Sequence, residues 1–257
     1  MCSEGVENRI KNTIFPLAPQ HHVREEIFHH VKRFERLDEA TAPDGTVLKL
    51  FRHDGAYLIR AGGIELMSSR HHLSEDRLAE LVCNPLREQP AVRVLIGGLG
   101  LGFTLKAALG DLKSDATVDV AEFLAAVIEW NRKPEYGIST EALNDPRVNV
   151  IHDDVVHVLS RSPGLYDGIM LDIDNGAEPI VTLGNADLYN GGGIRTALAA
   201  LRPGGRISYW SVDADPAFEA ALRHTGLPVE VEAVRTHPSG GASHFIYVVQ
   251  QRGNSAE

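Results

Sequence analysis

The chain has 257 residues, of which 43% are hydrophobic and 23% charged, and its formal net charge is −10 at pH 7. This composition is typical of a globular protein, and the negative charge argues against nucleic acid as a partner, because phosphate binding requires a basic surface. With two cysteines, a polar start and no run near the roughly 20 apolar residues that cross a bilayer, the sequence predicts a cytoplasmic protein without a membrane partner.

The first ninety residues predict a short helix, a small sheet and a second helix. Apolar residues recur at helical spacing from His21 to Phe34, after an irregular start. From Thr46 to Met67, short alternating runs are separated by glycine-containing turns, which is typical of a β-meander. A helix is expected from about Ser74 to Leu86.

Beyond Ala91, apolar runs and helical patterns alternate, which predicts a parallel sheet with helices on both faces. The predicted strands are 92–97, 117–121, 148–152, 167–172 and 206–211, and the predicted helices lie near 102–112, 122–133, 154–161, 191–202 and 215–225. The last two runs, 229–235 and 244–249, predict a closing hairpin. This order is typical of an α/β Rossmann-like class I methyltransferase fold, here preceded by a small N-terminal β-meander domain. The expected domains are 1–45 (irregular segment and short helix), 46–90 (meander plus helix) and 91–257 (Rossmann-like nucleoside-binding domain).

A glycine-rich loop follows the first strand of the large domain. Positions without a side chain let the backbone approach a ligand closely, and the amides of the helix that follows favour polar groups. Glu122 ends the next apolar strand, twenty positions after Gly102, which is the spacing of an acid that accepts ribose hydroxyls. The predicted cofactor-binding residues of this loop and strand are Gly97, Gly98, Gly100, Gly102 and Glu122.

Two acidic pairs follow later strands of the same sheet. Asp153 and Asp154 come after a strand, where one could accept a hydrogen bond from an adenine amino group, or cap the next helix. Asp172 and Asp174 leave a buried strand and are the predicted catalytic residues, because paired carboxylates can bind a cation or deprotonate an amine.

The histidine doublets carry no pattern of metal ligands, so no metal site is predicted. His21-His22 and His29-His30 are interpreted as a solvated helix face. His71-His72 could line an acceptor pocket, although the solvated interpretation is preferred there as well.

Taken together, these residues resemble the spermidine synthase family, the polyamine aminopropyltransferases, from about Thr46 to Val249. The run 93–98 is similar to the family's strand and loop opening, 120–122 to its ribose-binding acid, Asp153-Asp154 to its adenine-side acid, and 166–172 to its catalytic strand. The resemblance implies S-adenosylmethionine or its decarboxylated form as group donor, a small amine as acceptor, Asp172 as the base that activates it, and a possible homodimer.

Differences from the family pattern leave other functions open. Gly100 stands where the family has an aspartate that contacts the ammonium of decarboxylated S-adenosylmethionine. Methyl or aminocarboxypropyl transfer from intact S-adenosylmethionine is therefore the alternative, and an inactive nucleoside-binding module is a more remote one. An NAD-dependent dehydrogenase is disfavoured, because the glycines alternate and the chain ends in a hairpin.

Overall fold

The computed structural model describes residues 34–173, 185–236 and 242–253. All of these belong to one compact unit, Arg33–Glu257. The helix predicted from His21, the first two histidine doublets and Asp174 lie outside the described residues.

Four strands form an N-terminal antiparallel sheet in the order β1-β2-β3-β4. They are β1 (Glu35–Thr41), β2 (Val47–His53), β3 (Ala56–Ala61) and β4 (Ile64–Ser68). The predicted meander is confirmed, with tight turns at 54–55 and 62–63 where the backbone has positive φ. Strand β1 was not predicted. Its pairing with β2 shifts register between Arg36 and Asp38, and such a bulge breaks the two-residue alternation that identifies strands.

The second sheet has seven strands in the order β10-β11-β9-β8-β5-β6-β7. These are β5 (Arg93–Gly97), β6 (Thr117–Glu122), β7 (Val148–His152), β8 (Tyr166–Leu171), β9 (Leu201–Ser211), β10 (Val229–Arg235) and β11 (Ser243–Gln250). Strands β5 to β9 are parallel to one another, and β11 pairs antiparallel with both β9 and β10. The predicted parallel sheet with a closing hairpin is therefore confirmed. Because Gly97 is in register with both Ala121 and Leu171, the ends of β5, β6 and β8 meet at one edge.

Seven helices connect the described strands: α1 (Leu73–Cys83), α2 (Phe103–Asp111), α3 (Ala125–Arg132), α4 (Thr140–Leu143), α5 (Val155–Ser160), α6 (Gly191–Ala200) and α7 (Pro216–Arg223). Short 3-10 turns occupy Asn84–Leu86 and Asn185–Tyr189. Each helix predicted beyond residue 73 is present, and α4 is an addition. Helix α1 ends before the predicted Leu86 because proline at 85 is disfavoured within an α-helix. In the described ranges, no helix is long and apolar enough to cross a membrane.

Hydrophobic core lies on both faces of the large sheet. Val94 and Ile96 of β5 belong to one buried cluster, which also contains Leu50 of the small sheet. Leu95, between them, belongs to the cluster on the opposite face. Alternate side chains of a strand point to opposite faces, so β5 is buried from both sides. The small sheet and one face of the large sheet thus share one core.

Candidate functional site

The glycine loop after β5 is fixed against the end of β8. Gly98 has φ of +92°, and a Cβ atom there would lie 2.1 Å from the backbone oxygen of Asp172. The amide of Gly98 donates to the Ala121 oxygen, and the amide of Asp172 donates to the Gly97 oxygen, each at 2.8 Å. No side chain fits at position 98. The predicted loop and the predicted catalytic aspartate are therefore neighbours.

Glu122 holds this loop through both oxygens of its buried carboxyl group. Oε2 accepts from the Leu99 amide at 2.9 Å, and Oε1 accepts from the Leu124 amide at 2.8 Å. Burial raises the pKa of this carboxyl, and the amide hydrogen bonds oppose that shift. The amides of Gly100 and Phe123 also act on this carboxyl group, so it is engaged mainly by the protein's own backbone, and its ribose-binding role stays a prediction.

The far side of the loop contacts residues that sequence reasoning did not identify. Asn131 of α3 donates from Nδ2 to the Gly100 oxygen at 2.8 Å. A Cβ at Gly102 would lie 2.7 Å from the Cβ of Ser139. A Cβ at Gly100 would lie 3.3 Å from the sulfur of Met67, which comes from β4. Asn131 lies within a predicted helix, where no local signal distinguishes it from a surface residue.

The acidic pair after β7 divides into two different environments. Asp154 caps α5, because its Oδ1 accepts from the Val156 amide at 2.8 Å. Asp153 instead forms an ion pair with Arg161 and lies 3.3 Å from the Nδ1 atom of His157. The hydrogen bond from Arg161 lowers the pKa of Asp153. Of the two carboxylates, Asp154 thus has the capping role.

Asp172 is the member of the predicted catalytic pair that lies within the described residues. The hydroxyl of Thr104, in the first turn of α2, donates to its Oδ2 atom at 2.6 Å. Burial raises the pKa of Asp172, the Thr104 hydrogen bond opposes this, and the charge of Glu122 raises it further. A raised pKa makes this carboxylate a stronger proton acceptor than an exposed aspartate.

A second carboxyl group, Glu75 of α1, lies near Asp172 and was not identified from the sequence. Burial, followed by the charge of Asp172, raises its pKa. Its Oε2 atom accepts from the Ser74 hydroxyl at 2.5 Å. Acidic residues are common in the first turn of a helix, where they stabilise its N-terminus. From the sequence, Glu75 therefore has the appearance of an ordinary helix-start residue and gives no sign of a role in a site.

Histidines and a tryptophan lie around the Ser74 hydroxyl and the start of α2. The Nδ1 atom of His244 lies 2.9 Å from the Ser74 oxygen, and the Trp210 indole donates to the same oxygen at 3.1 Å. His72 stacks on Phe103 of α2, with ring centroids 4.4 Å apart. The doublet His71-His72 thus adjoins the start of α2, and its role in acceptor binding stays a prediction.

Within the three described ranges, no group of three or more histidine, cysteine, aspartate or glutamate side chains is placed to hold a metal ion. The groups that are present can accept protons and hydrogen bonds. The amides of Gly98, Leu99 and Gly102 already donate within the protein, whereas Asp172 with Glu75 suits a group that gives up a proton.

No family model matches the chain, and no curated protein sequence matches it. Among solved structures, the chain is similar to a spermidine synthase in complex with the transition state analogue AdoDATO, at 19% identity and a TM-score of 0.65. It is also similar to the spermidine synthase from Thermotoga maritima, at 20% identity and a TM-score of 0.66. Each match covers 86% of this chain and 74% of the other. The chain is thus spermidine synthase-like in fold, as predicted.

Proposed function

We propose that this chain is a transferase that moves an aminopropyl-type group from decarboxylated S-adenosylmethionine to a small amine. The observation that carries the proposal is Asp172, a carboxyl group with a raised pKa at the end of β8, directly against the glycine loop. The structural likeness to two spermidine synthases supports the same reaction class.

The donor would be held at the edge formed by β5, β6 and β7. The predicted roles are that Glu122 accepts hydrogen bonds from the ribose hydroxyls and that Asp153 accepts one from the adenine amino group. The backbone at Gly97, Gly98, Gly100 and Gly102 would border the rest of the nucleoside. The loop lies directly against Asp172, because a Cβ at Gly98 would collide with the Asp172 backbone oxygen.

Asp172 would act by taking a proton from the acceptor. An alkylamine with a pKa of about 10 is an ammonium ion at neutral pH and has no lone pair for attack. Transfer of one proton to the carboxylate frees that lone pair. The bound sulfonium supplies an electrophilic carbon and a neutral thioether leaving group. The new N–C bond forms as the C–S bond breaks, and its electron pair stays on sulfur. Asp174 is proposed to attract the ammonium ion.

A second candidate is transfer from intact S-adenosylmethionine, either of the methyl or of the aminocarboxypropyl group. The observation that favours it is the contact at Gly100, where the Met67 sulfur occupies the space next to the missing side chain. A carboxylate at this position would attract an ammonium and repel the carboxylate of the intact donor. With glycine and a thioether there, that repulsion is absent.

The first test is calorimetric titration of nucleoside-free protein with S-adenosylmethionine and, in parallel, with its decarboxylated form. Tighter binding of the decarboxylated form is expected. Tighter binding of the intact form would favour the second candidate, and binding of neither would overturn the assignment of a donor site.

Turnover with a panel of small amines then separates the reactions by their products. Aminopropyl and aminocarboxypropyl transfer both leave methylthioadenosine and are distinguished by the donor consumed, decarboxylated or intact, whereas methyl transfer leaves S-adenosylhomocysteine. The variant Asp172→Asn should bind the donor normally and lose roughly 10²–10⁴-fold in kcat. Donor binding without turnover in the wild type would instead indicate an inactive nucleoside-binding module.

A further inference from the structure

The hydroxyl group of Ser74 is the centre of a buried hydrogen-bond network beside the proposed site. Ser74 is 1% exposed. Its oxygen lies 2.5 Å from Oε2 of Glu75 and 2.9 Å from Nδ1 of His244. The Trp210 indole donates to it at 3.1 Å. Side chains from α1, β9 and β11 therefore meet at one oxygen atom.

The donors and acceptors around the Ser74 oxygen allow a proton to pass through its hydroxyl group. The indole of Trp210 can only donate, whereas a serine hydroxyl has one hydrogen and two lone pairs. Ser74 therefore accepts from Trp210 and can donate to either Glu75 or His244 while accepting from the other. A hydroxyl between a carboxyl group and an imidazole can pass a proton in either direction without moving.

We propose that Glu75, Ser74 and His244 form a proton relay that releases one proton to water when Asp172 accepts one from the acceptor amine. The relay serves the proposed transfer reaction, and its role in turnover rests on that function. Ser74 and His244 are positioning residues in this scheme, since they act through Glu75.

Electrostatic repulsion between the two carboxyl groups drives the relay. The charge of Asp172 contributes to the raised pKa of Glu75, so the pair retains one proton at neutral pH. When Asp172 takes a proton from the ammonium, its charge disappears and Glu75 becomes more acidic. Glu75 then passes its proton to the Ser74 oxygen, and the original Ser74 proton moves to Nδ1 of His244. One proton enters at Asp172 and one leaves at the histidine. When the product leaves, Asp172 releases its proton to water and Glu75 regains one through His244 and Ser74, so the pair returns to its starting state with one proton released per turnover.

The surroundings of His244 suit a transient proton acceptor. Burial, followed by the charge of His71, lowers its pKa, whereas Asp213 raises it. The neutral ring is therefore favoured at rest and can accept a proton. The residue is partly exposed, so it can release that proton to water. The other charges that act on the pair are Asp76 on Glu75 and Glu122 on Asp172.

The relay can be tested without turnover by NMR titration of the full chain, labelled at glutamate carboxyl carbons and histidine nitrogens. We expect Asp172→Asn to lower the titration midpoint of Glu75, because a neighbouring charge is removed. Ser74→Ala should shift both the Glu75 midpoint and the His244 nitrogen signals. Ser208→Ala is the matched control, since Ser208 is a fully buried serine that donates to α1 at the Leu78 oxygen. Unchanged Glu75 and His244 signals in Ser74→Ala would overturn the relay.

In turnover, Ser74→Ala should slow proton release, measured with a pH indicator in stopped flow, and lower kcat without raising KM. The loss should be smaller than the roughly 100-fold or more expected of a proton acceptor itself. Ser74→Thr, which keeps the hydroxyl, should restore the rate, and Ser208→Ala should match the wild type. Wild-type turnover with an unaffected Ser74→Ala variant would overturn the relay alone. Absence of turnover in the wild type, with the NMR shifts present, would overturn the proposed function instead.

Discussion

Asp172 and Glu75 differ in how their carboxyl groups are stabilised. Asp172 accepts a hydrogen bond of 2.6 Å from Thr104, which favours its ionised form. Glu75 accepts one from Ser74, but burial and the charge of Asp172 outweigh it. The proton of the pair therefore favours Glu75, which leaves Asp172 ionised for the acceptor.

The raised pKa of Glu75 predicts a dependence of stability on pH. The folded chain keeps a proton that the unfolded chain releases above the ordinary carboxyl pKa of about 4.3, so folding becomes less favourable as pH rises through this range. Glutamine cannot ionise. Glu75→Gln should therefore raise the melting temperature relative to wild type, and the difference should grow between about pH 5 and about pH 8.

Thermal melts of both proteins across this range check the prediction. Glu88→Gln is the control, because that carboxyl is 86% exposed. A Glu75→Gln difference that stays constant with pH would contradict the raised pKa.

At the scale of elements, the loop between β5 and α2 is shaped by contacts with three neighbours. Glu122 of β6 accepts from its amides, Asn131 of α3 donates to its carbonyl oxygen, and the end of β8 packs against Gly98. Its conformation is therefore set before any ligand arrives, which lowers the entropic cost of binding.

Two glycines with nearly the same φ allow the cost of backbone strain to be measured separately from the cost of close packing when a side chain is added. Gly98 has φ of +92° and Gly63 has φ of +93°, but a Cβ at Gly63 would meet nothing within 4 Å. Gly63→Ala should cost about 1–2 kcal/mol from the left-handed backbone alone. Gly98→Ala should cost more and weaken donor binding, since the Cβ displaces Asp172. Urea denaturation and calorimetry measure both quantities, and equal losses of stability would contradict the close packing.

Sequence patterns located most elements because strand and helix periods are local. The predicted strands 148–152 and 229–235 agree with β7 and β10 at both ends. Strand β9 instead begins at Leu201, where helix 191–202 was predicted to end. The pairing of β9 with β8 shifts register between Tyr166 and Gly168. The early start of β9 therefore depends on how it pairs with its neighbour, which the local sequence pattern does not show.

At the scale of the whole molecule, the small sheet is bound to the large domain by polar contacts as well as by the shared core. Lys133, after α3, lies 2.6 Å from Asp38 of β1. The Tyr57 hydroxyl of β3 donates to the Tyr136 oxygen. These contacts hold β4, and with it Met67, over Gly100. The small sheet therefore borders the proposed donor site.

The shared core predicts that both sheets unfold together. Leu50 of β2 is fully buried, and its replacement by alanine should cost about 2–5 kcal/mol. For a domain of this size each kcal/mol lowers the melting temperature by about 2–4 °C. Leu50→Ala should shift the unfolding of both sheets as one calorimetric transition.

Val47→Ala in the same strand is the control, because Val47 is 39% exposed and should have little effect. A separate early transition in Leu50→Ala, with the large sheet unfolding at its wild-type temperature, would contradict joint unfolding.

The sequence by itself determined the order of the strands and helices apart from β1 and α4, the glycine loop, and the acids at or just after the ends of β6, β7 and β8. These features follow from residue spacing and turn chemistry within short segments. Only the tertiary structure decided which polar groups meet. Ser74 and His244 are 170 positions apart, and Thr104 and Asp172 are 68 apart. Each of these side chains has an ordinary local explanation, and their proximity arises from how α1, α2, β8 and β11 pack, which no local pattern records.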